Sequence, residues 1–133
     1  MRKMLSIVLL SGLISTSIAA TPIDRLENAV NGYMQALKSD NPGLRSSALH
    51  NLARLKSDYP ELKLNIVDDT LLNMSEKDQL MLLRVHAKLT FLYLNDAKLA
   101  KMIKVKETQD PQQFFIDLHE QIHDSFADYQ PIQ

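Results

Sequence analysis

Apolar residues recur along this chain every three or four positions, and polar clusters with turn chemistry separate the runs. That spacing marks one face of a helix. Ile23, Leu26, Val30, Tyr33, Met34 and Leu37 form a first stripe, entered through Thr21-Pro22-Ile23-Asp24. Threonine suits the cap, proline the first helical position, and a carboxylate the first turn. In Ser39-Asp40-Asn41-Pro42-Gly43, Asn41 is placed to cap and Pro42 to begin a second helix, with Leu44, Ala48, Leu52 and Leu55 on its apolar side. Ser57-Asp58-Tyr59-Pro60 ends it. A short third helix is predicted over residues 66–74, capped by Asn65. Ser75-Glu76-Lys77-Asp78 reads as a capping box that opens a fourth helix, running to residue 94. Asn95-Asp96 separates it from a fifth over 97–105, and Asp110-Pro111 opens a sixth that reaches about residue 128. No segment alternates as a strand does. The pattern therefore predicts one all-α domain of about six helices.

The fourth helix is predicted to be the centre of the fold and its least exposed element. Lys77, Arg84, Lys88 and Asn95 fall within about 20° of one line at 3.6 residues per turn. Nearly every other residue from Leu80 to Leu94 is apolar. A helix that is apolar over most of its circumference is packed on several sides.

A faint repeat runs through the same region. Leu44-Arg45-Ser46-Ser47-Ala48, with Leu52 and Leu55, matches Leu83-Arg84-Val85-His86-Ala87, with Phe91 and Leu94. The second copy has no aspartate at the position matching Asp40. The period is close to the roughly 40–47 residues of HEAT and armadillo arrays. The run Leu37-Lys38-Ser39-Asp40-Asn41-Pro42-Gly43-Leu44-Arg45-Ser46-Ser47-Ala48 resembles the HEAT turn, in which an aspartate precedes a hydrophobic-Arg-x-x-Ala entry into the second helix. From about Tyr33 to Phe126 the chain resembles small exported bacterial HEAT-like proteins of unknown function. That likeness rests on Ala48 through Pro60 and on Asp110-Pro111-Gln112-Gln113-Phe114-Phe115. The resemblance implies a HEAT-like helical domain and no reaction. It implies structural roles for Asp40, Arg45 and Arg84, because aspartate and arginine bridge neighbouring turns in such units.

Residues 1–20 follow a different pattern. Arg2 and Lys3 precede an apolar run from Met4 to Ile14, followed by Ser17-Ile18-Ala19-Ala20. A basic start, a short apolar core and small residues at the end read as a secretory signal peptide. The run is too short to span a bilayer, which takes about 20 residues. Residues 21–133 are then the exported domain, periplasmic or extracellular in a bacterium. Nothing later in the chain is long and apolar enough to span, since Arg84 and Lys88 interrupt 80–94.

Charge and chemistry narrow the function further. The formal net charge is −1, and loss of Arg2 and Lys3 makes it more negative. Nucleic-acid binding wants a basic face and is not expected. The absence of cysteine excludes disulfides, thiolate zinc sites and a cysteine nucleophile. His119-Glu120-Gln121-Ile122-His123 is a literal H-E-x-x-H, in which two histidines one turn apart can share zinc while the glutamate acts as base. A catalytic zinc takes three protein ligands, however, and the short tail after His123 offers only Asp124 and Asp128 on the same helix. The stripe Phe115, Leu118, Ile122, Phe126 and Tyr129 leaves His119 and His123 at its edge, turned toward solvent. His86, about 160° from Arg84, points into the packed side, as a core histidine or one lining a groove. His50 falls off its helix stripe and is expected to face solvent.

Lys98, Lys101, Lys104 and Lys106 form a basic grouping, and Asp117, Glu120, Asp124 and Asp128 an acidic one suited to face it or to hold a cation weakly. No cofactor is expected. The reading is an exported, non-catalytic module that binds another protein. Its rivals are a zinc-dependent hydrolase using His119, Glu120 and His123, and a carrier holding a small apolar ligand around residues 80–94. Mass spectrometry of the protein from its native host is expected to find an N-terminus at Ala20 or Thr21; an intact Met1 on a cytosolic protein would contradict export.

Overall fold

A computed structural model describes residues 22–128, with side chains up to Asp124. The expected signal peptide, Thr21 and Tyr129 lie outside the described residues. Six α-helices are present among those described, and no strand. They are α1 (Pro22–Leu37), α2 (Pro42–Asp58), α3 (Asp68–Lys77), α4 (Met81–Leu94), α5 (Ala97–Met102) and α6 (Pro111–Asp128), with a single 3-10 turn at Asn65–Val67. No described helix is long and apolar enough to cross a membrane.

Consecutive helices pack as hairpins, α1 on α2 and α3 on α4, and the second helices of the two hairpins pack on each other. Helices α5 and α6 then close on α4. One core cluster runs through all of this, with Leu49, Leu52, Ala53, Val67, Leu71, Ala87, Tyr93, Phe114 and Leu118 wholly buried. Asn41 caps α2 as its position in the sequence suggests, its side chain accepting from the Gly43 and Leu44 amides at 2.8 and 3.4 Å. Asp96 caps α5 through the Leu99 amide at 3.1 Å.

Three boundaries differ from the pattern's expectation. The capping box at Ser75 does not form. Ser75, Glu76 and Lys77 are the last residues of α3, and the Ser75 hydroxyl donates back to the Leu72 carbonyl at 2.7 Å. The chain breaks instead at Asp78, which is extended (ψ 140°) and whose carboxylate accepts the Leu80 amide at 2.9 Å. Residues 65–67 are a 3-10 turn rather than the start of α3. Helix α5 ends at Met102, short of residue 105, because longer-range bonds hold the following residues extended. The Tyr93 hydroxyl donates to the Ile103 carbonyl at 2.6 Å, and the Val105 amide donates to the Ser57 hydroxyl at 2.9 Å. An amide committed to Ser57 is not available to a helix.

Helix α4 is the hub, touching α2, α3, α5 and α6, but it is not sheathed along its length. Leu83, His86, Ala87, Leu89, Thr90, Tyr93 and Leu94 are buried, whereas Leu80, Met81, Leu82 and Val85 are exposed. Helix α2 is as deeply packed, and its buried face includes Lys56, whose ammonium donates to the Leu62 carbonyl at 2.8 Å. Ile23 and Leu44, both placed on buried stripes by spacing, are exposed at the helix starts.

The turns that open α2 and α4 use the same bonds. The Asn41 amide donates to the Ser39 hydroxyl at 3.1 Å, as the Leu80 amide does to Asp78. The Arg45 guanidinium donates to the Ser39 carbonyl at 2.9 Å, and that of Arg84 to the Asp78 carbonyl at 2.6 Å, each reaching back six residues. Arg84 is therefore half-buried and bonded, not simply one of a row of solvated cations, and Lys77 belongs to α3.

Tyr93→Phe is expected to cost about 2 kcal/mol, since it leaves the partly buried Ile103 carbonyl without its donor. Hydrogen exchange at residues 103–105 should rise beyond the global change; an unaltered urea midpoint would contradict this role. Ala87→Asp, at a wholly buried site in α4, is expected to unfold the domain near neutral pH, read by loss of helical circular dichroism.

Candidate functional site

The face built by α4 and α6 gathers most of the residues with chemical interest. Helix α4 supplies Leu82, Val85, His86 and Leu89, and α6 supplies Phe115, Ile116, His119 and Glu120, around an open groove of about 230 Å³. Leu89 and Phe115 form its buried floor, while Leu82, Val85 and Ile116 are 54, 39 and 49% exposed, and Met81, at the start of α4, is 71% exposed. Helical spacing explains the arrangement. On α4, residues 82, 85, 86 and 89 share a face; on α6, residues 115, 116 and 119 do.

His86 is the inward histidine its position predicts, and it lines this groove. Its ring is 7% exposed and stacks on Phe115 with centroids 4.1 Å apart and planes 14° from parallel. Its Nδ1 is buried without a hydrogen-bond partner. Burial pushes the imidazole below the ordinary 6.5, because its charged form cannot be hydrated there. Thr90, one turn on, is satisfied by the His86 backbone carbonyl at 2.7 Å.

His50 departs from expectation. It is half-buried, set edge-on to Phe114 at 6.1 Å, with Nε2 enclosed and unpartnered. Burial first, then the charge of Arg54, lowers its pKa against an opposing effect of Asp110. The stripe of α2 could not show this, because the covering ring comes from α6, more than 60 residues away.

The H-E-x-x-H residues are split by the surface. His119 and Glu120 border the groove, while His123 is exposed beyond it, 3.9 Å from the Asp124 carboxylate. No group of three metal-ligating side chains occurs among the described residues. A third ligand for a zinc held by His119 and His123 therefore has no candidate there.

The acidic side of α6 borders a second, polar cleft of about 370 Å³, with Asp117, Glu120 and Asp124 on one wall and Lys104 and Lys106 on the other. Asp117 accepts from Gln109 at 3.1 Å and Gln113 at 2.8 Å, and the Lys104 ammonium donates to the Ser57 carbonyl at 3.1 Å. The two groupings thus face each other, with amides and backbone taking the direct bonds. Lys101 instead sits 4.0 Å from Glu61 on the surface. An apolar cleft of about 350 Å³ lies between α1 and residues 62–66, lined by Ile23, Leu26, Val30, Leu62, Leu64 and Ile66. It is this cleft, away from residues 80–94, that has the larger volume for an apolar ligand.

His50 and His86 bind protons more readily once unfolded, where they titrate near 6.5. Their contribution is fully present above that pH and is lost as the pH falls toward their lower folded values. Urea midpoints are expected to fall between pH 7.5 and 5, flatter in His86→Phe. An equal slope in that variant would show that His86 is not the source. No protein family, curated protein or solved structure matches the chain.

Proposed function

We propose that this chain is an exported, HEAT-like helical protein that works without catalysis, by docking a protein partner on the face of α4 and α6. The observation that carries the reading is that Leu82, Val85 and Ile116 are exposed around one groove, with Met81 exposed next to Leu82 at the start of α4. Single exposed leucines are ordinary, but a contiguous apolar face marks a contact surface. Its polar content is small: His86 is held neutral and stacked, and His119 sits at the margin. The paired hairpins and the matching turns at Ser39 and Asp78 support a HEAT-like reading, and stacked helical hairpins act by presenting a surface. Export follows from the residue 1–20 pattern.

The zinc-hydrolase reading has two histidines and a glutamate in its favour and needs a third ligand from elsewhere. The carrier reading draws on the apolar cleft beside α1.

A photo-crosslinking residue at Leu82 in the exported protein is expected to give a specific protein adduct in the native extract, whereas one at Leu44, exposed at the start of α2, is not. Leu82→Glu should leave the helical circular dichroism of the folded chain unchanged, as surface substitutions do. Equal labelling from both positions would contradict the docking face. Tight one-to-one zinc lost in both His119→Ala and His123→Ala, with peptidase activity lost in Glu120→Gln, would overturn the non-catalytic reading.

A further inference from the structure

We propose that the partner on the α4/α6 face is a second copy of this chain, related by a two-fold axis that sets α4 of each copy against α6 of the other. The inference rests on the docking reading and adds the occupant.

The support is the placement of charge around the apolar strip. His86 stacks on Phe115, so it marks the side of α4 nearest α6. Arg84 and Lys88 each lie about 160° around α4 from His86, on the far edge. Lys88 is exposed there, its ammonium 5.6 Å over the Phe91 ring. On α6, Glu120 and Asp124 lie about 140° and 180° from Phe115, on the opposite edge of the same face. Both are exposed. The face therefore has a basic border on α4, an apolar strip, and an acidic border on α6.

Such a surface is complementary to itself. Two copies can meet here with the axis running along the groove or across it. Across the groove, α4 lies on α4, and Lys88 meets Lys88. Along the groove, α4 lies on α6, the apolar strips meet, and each basic border meets an acidic one. Like charges brought together at a contact are costly, so the second arrangement is selected. Because the same patch serves both copies, the contact closes at two and does not propagate. Any other partner would have to carry this same order of acid, apolar strip and base; a second copy carries it by construction.

Sedimentation equilibrium of the exported chain tests this, together with Leu82→Glu, Lys88→Glu, Glu120→Lys and the double reversal of Lys88 and Glu120. A dimer is expected. Leu82→Glu should be monomeric with unchanged helical circular dichroism. Each single reversal should weaken association by at least about tenfold, since the symmetric contact contains the clash twice. The double reversal should recover most of that loss, which a purely structural effect of either residue would not do. A monomer at every concentration would overturn the inference, and adduct formation at Leu82 would then separately decide the docking reading. A dimer that survives Leu82→Glu, or a double reversal no better than the single ones, would also overturn it.

Discussion

The two hairpins are joined by one ion pair between their turns. The Arg45 guanidinium meets the Asp78 carboxylate edge-on, Nε to Oδ2 at 2.9 Å and Nη2 to Oδ1 at 3.2 Å, with side chains 14 and 4% exposed. Arg45 also holds the Ser39 carbonyl, so the one guanidinium spans the turn that opens its own helix and the turn that opens α4. Burial on its own would raise the Asp78 carboxyl. The Arg45 hydrogen bonds, the Leu80 amide and the charges of Arg45 and Arg84 outweigh it and bring the pKa below the ordinary 3.8. An enclosed carboxylate with this many donors has one stable orientation, and that orientation determines where α4 begins.

The rest of the site follows from that starting point. With Asp78 occupied by Arg45 and by the Leu80 amide, α4 starts at Met81, burying Leu83, His86 and Ala87 and leaving Met81, Leu82 and Val85 outward. Tyr93 and Leu94, toward its C-terminus, are buried, while Met81, Leu82 and Val85 remain in view. Helix α6 approaches through Phe114, Phe115 and Leu118 and completes the groove without covering it. The exposed apolar strip is thus a consequence of how the second hairpin is set on the first.

Helix count and most helix starts were legible because they depend on neighbours in sequence: Asn41 caps α2 and Pro111 opens α6 where spacing places them. The break at residue 78 was not, because Ser75-Glu76-Lys77-Asp78 satisfies a local capping rule and the competing demand on Asp78 comes from Arg45, 33 residues away. The end of α5 was hidden for the same reason, since Ser57 and Tyr93 extract Val105 and Ile103 from the helix. At the site, helical angles correctly separated inward His86 from outward His119 and His123. They misplaced His50, whose cover is Phe114, and they overestimated the enclosure of α4, because periodicity counts apolar residues without showing how many helices are available to cover them.

If the pair between turns sets the hairpins together, Arg45 and Asp78 must be energetically coupled, not merely adjacent. A double-mutant cycle with Arg45→Ala, Asp78→Ala and the double variant, by urea denaturation near pH 7, measures this. Each single change is expected to cost about 3 kcal/mol, as removal of one partner of an enclosed pair does, and the double change little more than either. The Leu80 and Arg84 amides, which donate to the Asp78 carboxylate and the Leu80 carbonyl, should lose hydrogen-exchange protection in all three variants. Additive losses, or amides that stay protected without the pair, would contradict the account.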